Sequence, residues 1–182
     1  MDISVVVPLY NEEESLPELF AWIERVMNAN GFSYEVIFVN DGSTDRSWQV
    51  IEQSQAQAPD KVRGIKFRRN YGKSPALFCG FEQAQGDVVI TMDADLQDDV
   101  NAVDEFIDGF CNGNEIVYGV RSARKKDTWF KRTTAEAFYK VFEWMGAETV
   151  PDHADYRLMS RETLDALSEY HEVNLFLRGI VP

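Results

Sequence analysis

The sequence has few of the residues that build metal clusters or disulfide frameworks. Its 182 residues include two cysteines, Cys79 and Cys111, with no CxxC or Cys/His spacing around them. That scarcity excludes a structural zinc site and a disulfide scaffold, and it predicts two buried thiols in a reducing compartment. No stretch reaches the roughly 20 apolar residues that a membrane-crossing helix needs. The first residues, Met1 to Pro8, lack the basic segment that opens a signal peptide. Positive charge is also scarce: 18 basic residues stand against 31 acidic ones, a formal net charge of −13. Such a chain repels phosphate backbones, which excludes nucleic acid as its main partner. Internal repeats, low-complexity tracts and Pro/Gly/Ser linkers are missing too. The expectation is a single cytoplasmic globular domain, 45% apolar, large enough to bury a substantial core. Its apolar end, Phe176 to Pro182, predicts that the natural chain continues.

Short β-branched runs alternate with amphipathic stretches. Ile3–Val7, Tyr34–Val39, Val62–Phe67, Val88–Met92 and Ile116–Tyr118 read as strands. From Glu13 to Asn28 a helix buries Leu16, Leu19, Phe20, Ile23 and Val26/Met27 and stops at Gly31. Thr44-Asp45 caps a second helix, Pro75 fits the first turn of a third, and a fourth starts near Val100. A basic stretch then leads into a long aromatic helix, roughly 128–145. Continuously apolar strands separated by helices imply a mostly parallel sheet covered on both faces, an α/β sandwich of Rossmann-like type.

In such sheets ligands bind beyond the carboxyl ends of the strands. Four strand ends in succession carry dense polar groups: Pro8-Leu9-Tyr10-Asn11-Glu12-Glu13, Asn40-Asp41-Gly42-Ser43-Thr44-Asp45, Arg68-Arg69-Asn70-Tyr71-Gly72-Lys73 and Asp93-Ala94-Asp95-Leu96-Gln97-Asp98-Asp99. Asp93 and Asp95 are two carboxylates at a strand end, suited to Mg²⁺ or Mn²⁺, whose remaining ligands would be water and substrate phosphates. A single D-x-D also occurs as a helix cap. Asp41 either reaches a nucleobase or ribose hydroxyl, or forms an Asx-turn that caps the next helix; Asp45 is read as that cap.

Other chemistries fit less well. The segment ending in Gly72-Lys73-Ser74 has Phe67 where a P-loop needs its first glycine, and no G-x-G-x-x-G opens a helix. A phosphatase with an aspartate nucleophile would place its D-x-D on a first strand, followed by Thr or Val, whereas here Leu96-Gln97 follow strand four.

These strings together resemble the family 2 glycosyltransferases, in particular the branch that includes dolichol-phosphate mannose synthase and bacterial polyprenyl-phosphate glycosyltransferases. Asp155-Tyr156-Arg157-Leu158 and Phe176-Leu177-Arg178-Gly179 extend the match to nearly the whole chain. The resemblance implies a GT-A fold that binds a nucleotide-sugar donor and moves the sugar, with inversion, to a lipid-phosphate acceptor. It implies that Pro8, Tyr10, Glu12 and Lys73 line the donor pocket, that Asp41 meets the base and Asp93 the ribose, and that Asp95 holds the metal. Asp155 becomes the candidate catalytic carboxylate, with Arg157 fixing it or binding phosphate, and Arg178 neutralises the leaving diphosphate. Two departures stand out: Asp98-Asp99-Val100 replaces the usual Asp-Pro-Pro, and Ala154 replaces a glycine before Asp155.

Arg121, Arg124, Lys125, Lys126, Lys131 and Arg132 place a third of the basic residues within twelve positions. This is either a solvated face or, with the aromatic helix that follows, a surface meeting the membrane on its cytoplasmic face. On the second reading Lys131 and Arg132 meet the acceptor phosphate. Membrane helices beyond the chain, implied by the resemblance, could join subunits into a homo-oligomer. Two alternatives stay open: transfer to a saccharide hydroxyl, and a non-catalytic nucleotide-sugar-binding or scaffolding domain.

Overall fold

A computed structural model describes residues 1–120 and 153–168. In chain order the elements are β1 (Ile3–Leu9), α1 (Leu16–Asn30), β2 (Tyr34–Asn40), α2 (Ser47–Gln57), β3 (Val62–Lys66), α3 (Lys73–Gln83), β4 (Val88–Thr91), a 3₁₀ turn (Val100–Ala102), α4 (Val103–Cys111), β5 (Ile116–Val120), β6 (His153–Ser160) and α5 (Arg161–Ser168). They form one six-stranded sheet in the order β3-β2-β1-β4-β6-β5. Strands β1 to β4 pair in parallel, and β6 runs antiparallel to both β4 and β5. The expected mostly parallel α/β sandwich is thus present, with β6 and α5 as elements the sequence pattern had not predicted.

Every residue of β1 and β2 is buried, which explains their unbroken apolar character: both faces of the sheet are covered. On one face Val5, Val7, Val36 and Phe38 pack with Ile23 and Met27 of α1, Ile51 of α2 and Phe106 of α4. On the other, Val6, Ile37 and Val39 pack with Ala76, Leu77 and Phe81 of α3 and with Leu164 and Leu167 of α5. Helix α1 buries the six residues that its periodicity predicts, and Gly31 ends it in the left-handed conformation (φ 71°), its N–H on the Asn28 carbonyl. The helix starts at Leu16, three residues later than expected, because Glu12 and Glu13 donate their N–H groups to Ser47 and Asp45 and the Ser15 hydroxyl turns back to the Glu12 carboxylate. The cysteine expectation needs correcting. Cys79 is only half-buried and Cys111, the last residue of α4, is exposed.

At the amino ends of the strands the sheet is stapled by a buried polar network. Glu35, 2% exposed, accepts hydrogen bonds from the Ser4 hydroxyl (2.7 Å), the Gln85 N–H (2.7 Å) and the Arg63 guanidinium (3.2 Å). This leaves the opposite edge to chemistry. There β1 pairs with β4 only as far as Val6 and Thr91 while it follows β2 to Leu9 and Asn40. Pro8, which has no N–H to donate, sits where pairing with β4 has ended. The separation of β1 from β4 beyond that point opens a cleft.

Candidate nucleotide-sugar and metal site

The cleft is a cavity of about 340 Å³. Pro8, Leu9, Tyr10 and Glu12 from the end of β1 form one wall, Asp41 the end of β2, Asn70, Gly72, Lys73 and Ala76 the start of α3, and Asp93, Ala94 and Asp95 the end of β4. All seven residues that the sequence assigns to the donor and the metal (Pro8, Tyr10, Glu12, Asp41, Lys73, Asp93 and Asp95) therefore meet in one place.

Local folding explains how they are held. Asn11, in the left-handed region (φ 58°), accepts the Thr44 N–H at 2.8 Å and donates its own N–H to Ser43 Oγ at 2.9 Å. Glu12 donates its N–H to Ser47 Oγ, and Glu13 donates to Asp45 while its carboxylate accepts the Arg46 N–H at 2.7 Å. The β1–α1 and β2–α2 loops are thus sewn to each other, and much of both polar strings is consumed by that seam. Asp45 serves as the expected cap, accepting the Ser47 N–H at 2.9 Å and its hydroxyl at 2.6 Å. Burial alone would raise its pKa; hydrogen bonds from the Ser47 hydroxyl and from the Ser47 and Glu13 N–H groups outweigh that and hold the carboxyl below its ordinary 3.8. Asp45→Ala is expected to cost about 1 kcal/mol in urea unfolding at pH 7. Because the folded pKa is the lower one, this contribution is complete above pH 3.8 and disappears as pH falls further, so the variant and the parent converge in acid.

Asp41 is 4% exposed, and both its oxygens are engaged: Oδ1 accepts the Tyr71 N–H at 2.7 Å and Oδ2 the Gly72 N–H at 2.9 Å. Gly42 (φ 73°) lies so close to the next loop that a Cβ there would fall 2.3 Å from the Arg69 carbonyl carbon. Asp41 and Gly42 therefore fasten the β3–α3 loop over the end of β2. Tyr71, 52% exposed, stands out from that loop with the Phe67 ring edge-on at 5.7 Å and the Arg69 guanidinium 4.9 Å from its centroid. Tyr10, 45% exposed, stands at the cavity wall.

The D-x-D segment is equally anchored. Ala94 is buried, Asp95 is exposed with Oδ1 on the Gln97 N–H (3.1 Å), and Leu96 takes a left-handed φ of 60°. Lys73 Nζ is ion-paired with Asp93 Oδ1. Asp98, expected to be a helix-start residue, is instead buried and accepts the Asp93 N–H at 2.9 Å. Asp99 takes the helix-start role, capping the 3₁₀ turn through the Asn101 N–H. Asn70 and Gly72 line the cavity without having been singled out in the sequence, where the only signal was their place within the polar strings, and Asp98 supports the backbone of Asp93.

Among the described residues no three Asp, Glu, His or Cys side chains gather into a metal cluster. The cavity nonetheless brings four carboxyl groups (Glu12, Asp41, Asp93 and Asp95) to one ammonium, Lys73. A diphosphate would meet net repulsion there unless a hard cation entered with it, and oxygen ligands at Asp93 and Asp95 suit Mg²⁺ or Mn²⁺. The donor set fits a metal that is shared with the substrate.

From the far side, β6 enters antiparallel to β4 with Thr91 opposite Arg157, the last pair of that ladder, and Asp155 follows two residues beyond Arg157 toward the start of β6. Between Tyr118/Val120 and Arg157/His153 the β5–β6 ladder shifts, a bulge centred on the Asp155 stretch. Ala154, replacing the family's glycine, lies in this extended strand. Arg157 is buried, its guanidinium 5.7 Å from the Tyr118 ring centroid. Tyr156 donates its hydroxyl to the Asp99 carbonyl at 2.9 Å, and burial, with the Asp98 and Asp99 charges, pushes its pKa far up. Arg178, the basic cluster Arg121, Arg124, Lys131 and Arg132, and the aromatic helix expected at 128–145 lie outside the described residues. No helix among the described residues is long and apolar enough to cross a membrane.

A cleft at the carboxyl edge of a mostly parallel sheet, with D-x-D just after its fourth strand, lies where open α/β folds bind their ligands, and the architecture is of the GT-A type. The solved mannosyltransferase PcManGT from Pyrobaculum calidifontis, in complex with GDP-Man and Mn²⁺, matches with a TM-score of 0.64 and 23% identity over 91% of this chain and 46% of its own. Glucosyl-3-phosphoglycerate synthase from Mycobacterium tuberculosis, solved with Mn²⁺, UDP and phosphoglyceric acid, gives 0.61 and 22% over 88% of this chain and 56% of its own. The profile of "Glycosyl transferase family 2" matches residues 4–171, and the chain belongs to that family. Among its relatives, the uncharacterized glycosyltransferase YkoT of Bacillus subtilis is 42% identical over 99% of this chain and 56% of its own length. The bactoprenol glucosyl transferase of Shigella phage SfV is 38% identical over 100% of this chain and 59% of its own. The chain spans somewhat over half the length of these curated relatives.

Proposed function

We propose that this chain is the catalytic domain of an inverting, metal-dependent glycosyltransferase that moves a sugar from a UDP- or GDP-sugar to a polyprenyl phosphate. The observation that carries the reading is the convergence of Asp41, Lys73, Asp93 and Asp95 on one cavity, in a chain aligned over its whole length with a bactoprenol glucosyl transferase.

On this reading Pro8, Tyr10 and Glu12 flank the nucleotide, Asp93 faces the ribose side, and Asp95 holds Mg²⁺ or Mn²⁺. The metal, when bound, neutralises charge on the donor diphosphate. In the transfer step a phosphate oxygen of the acceptor attacks the anomeric carbon from the face opposite the diphosphate. The bond from that carbon to the diphosphate oxygen breaks, and its electron pair leaves with the nucleoside diphosphate. A phosphate monoester has its second pKa near ~6, so the acceptor is already a dianion at neutral pH and needs no general base. Asp155 is accordingly assigned to positioning at the reacting centre, with Arg157 beside it on β6 and Arg178 on the leaving diphosphate. Arg121, Arg124, Lys131 and Arg132 are assigned to the acceptor phosphate and an anionic membrane surface, at the cytoplasmic face.

The test is product formation from a panel of UDP- and GDP-sugars with Mg²⁺ or Mn²⁺ and a short-chain polyprenyl phosphate. A lipid-phosphate sugar that forms with metal, and is abolished by EDTA, is the expected result. Metal-dependent transfer only to a saccharide hydroxyl would replace the acceptor assignment, and absence of donor binding would remove the transferase reading.

A further inference from the structure

The reading above gives the Asp93 carboxylate to the ribose side of the donor, two residues from the metal position at Asp95, yet the protein itself supplies that carboxylate with a cation. Lys73, the first residue of α3, reaches across from the β3–α3 loop to pair with Asp93 Oδ1 at the end of β4. Both side chains are partly open to the cavity, 38% and 29% exposed, so the pair is solvated and readily exchanged. The backbones beneath it are fixed. Asp41 holds the Gly72 N–H, one residue before Lys73, and Asp98 holds the Asp93 N–H. What can move is the four-carbon lysine stem, a flexible carrier of a compact charge.

We propose that Lys73 is a charge placeholder: its ammonium neutralises Asp93 until a nucleoside diphosphate enters, then passes to the diphosphate oxygens and releases Asp93. The inference rests on the reading of this cavity as a donor and cation site. Two consequences follow from like-charge repulsion between the ammonium and a divalent ion. Divalent cation alone binds weakly, because it must displace or approach Lys73. Diphosphate and cation bind synergistically, because the first removes the obstacle to the second and adds oxygen ligands of its own.

The experiment is titration of the full chain with Mn²⁺, followed by electron paramagnetic resonance, with no nucleotide and with saturating UDP or GDP, on the parent, Lys73→Met and Lys73→Arg. Without nucleotide, Lys73→Met is expected to bind Mn²⁺ about tenfold more tightly than the parent, the scale set by removing one like charge near a solvated carboxylate. Lys73→Arg, which keeps the charge, is expected to restore the weak binding, and this rescue excludes a general change in fold. Metal-free UDP or GDP binding is expected to weaken in Lys73→Met. Nucleotide-free Mn²⁺ binding that is equal or weaker in Lys73→Met overturns the placeholder role while leaving the donor site standing. Failure of all three proteins to bind Mn²⁺, even with UDP or GDP present, overturns the reading of the cavity itself.

Discussion

Asp95→Asn is expected to lower metal-dependent sugar transfer by about 10²- to 10³-fold, the several kcal/mol that a metal supplies to charge stabilisation in a transition state, while leaving the fold intact. Both halves of that expectation come from the same geometry. The Asp95 side chain is exposed and accepts one hydrogen bond, from the Gln97 N–H to Oδ1. Asparagine keeps that acceptor and so keeps the turn that carries Leu96 in its left-handed conformation. What it loses is the negative charge that makes the position a ligand for a hard cation. Thermal unfolding should therefore stay within about 2 °C of the parent, with donor turnover measured in parallel. An asparagine variant of full activity would move the metal elsewhere.

Asp41→Asn carries the second large expectation, and it is of a different kind. An amide offers one acceptor where the carboxylate offers two, so its NH₂ group must face the N–H of Tyr71 or Gly72. One buried donor then loses a charge-assisted partner, which costs about 2 kcal/mol. For a chain of this size that is a fall of about 4–8 °C in the unfolding midpoint. The functional readout separates two roles. If Asp41 serves as the fastener of the β3–α3 loop, KM rises together for UDP- and GDP-sugars, since Gly72 and Lys73 shift for any donor. A change in preference between uracil and guanine donors without loss of stability would assign Asp41 to base recognition instead.

Where sequence and structure agree, the cause is periodicity. The six buried residues of α1 and the apolar runs of β1, β2 and β4 announce themselves because those residues meet the core directly. Strand β6 escaped because its pattern is mixed. Tyr156 and Leu158 belong to one apolar face, but Arg157 between them is also buried, stacked near Tyr118 rather than sent to solvent. A buried arginine breaks the alternation that identifies a strand. The cavity was legible as a set of polar strand ends, since a parallel sheet gathers such ends on one edge. The division of labour inside it was not. Asn11 meets Thr44, and Asp41 meets Tyr71 and Gly72, across some thirty residues of chain. Spacing along the sequence carries no trace of such pairings. Asp41 and Asp45 look alike in the string Asn40 to Asp45, yet one fastens a neighbouring loop and the other caps its own helix.

The antiparallel β6 also orders events at the ribosome. Among the described residues strand β5 joins the sheet only through β6, because the order runs β4-β6-β5. As the nascent chain emerges, the first four strands can close around α1, α2 and α3 and complete the donor half of the cleft, but β4 is left as an open template edge. Neither β5 nor the Asp155 stretch can dock until residues 153–160 have been synthesised. Edges left waiting in this way attract other chains. Chains cut before β6 should therefore be recovered as aggregates, measured as the insoluble fraction of a chain ending at residue 120 against that of the whole chain.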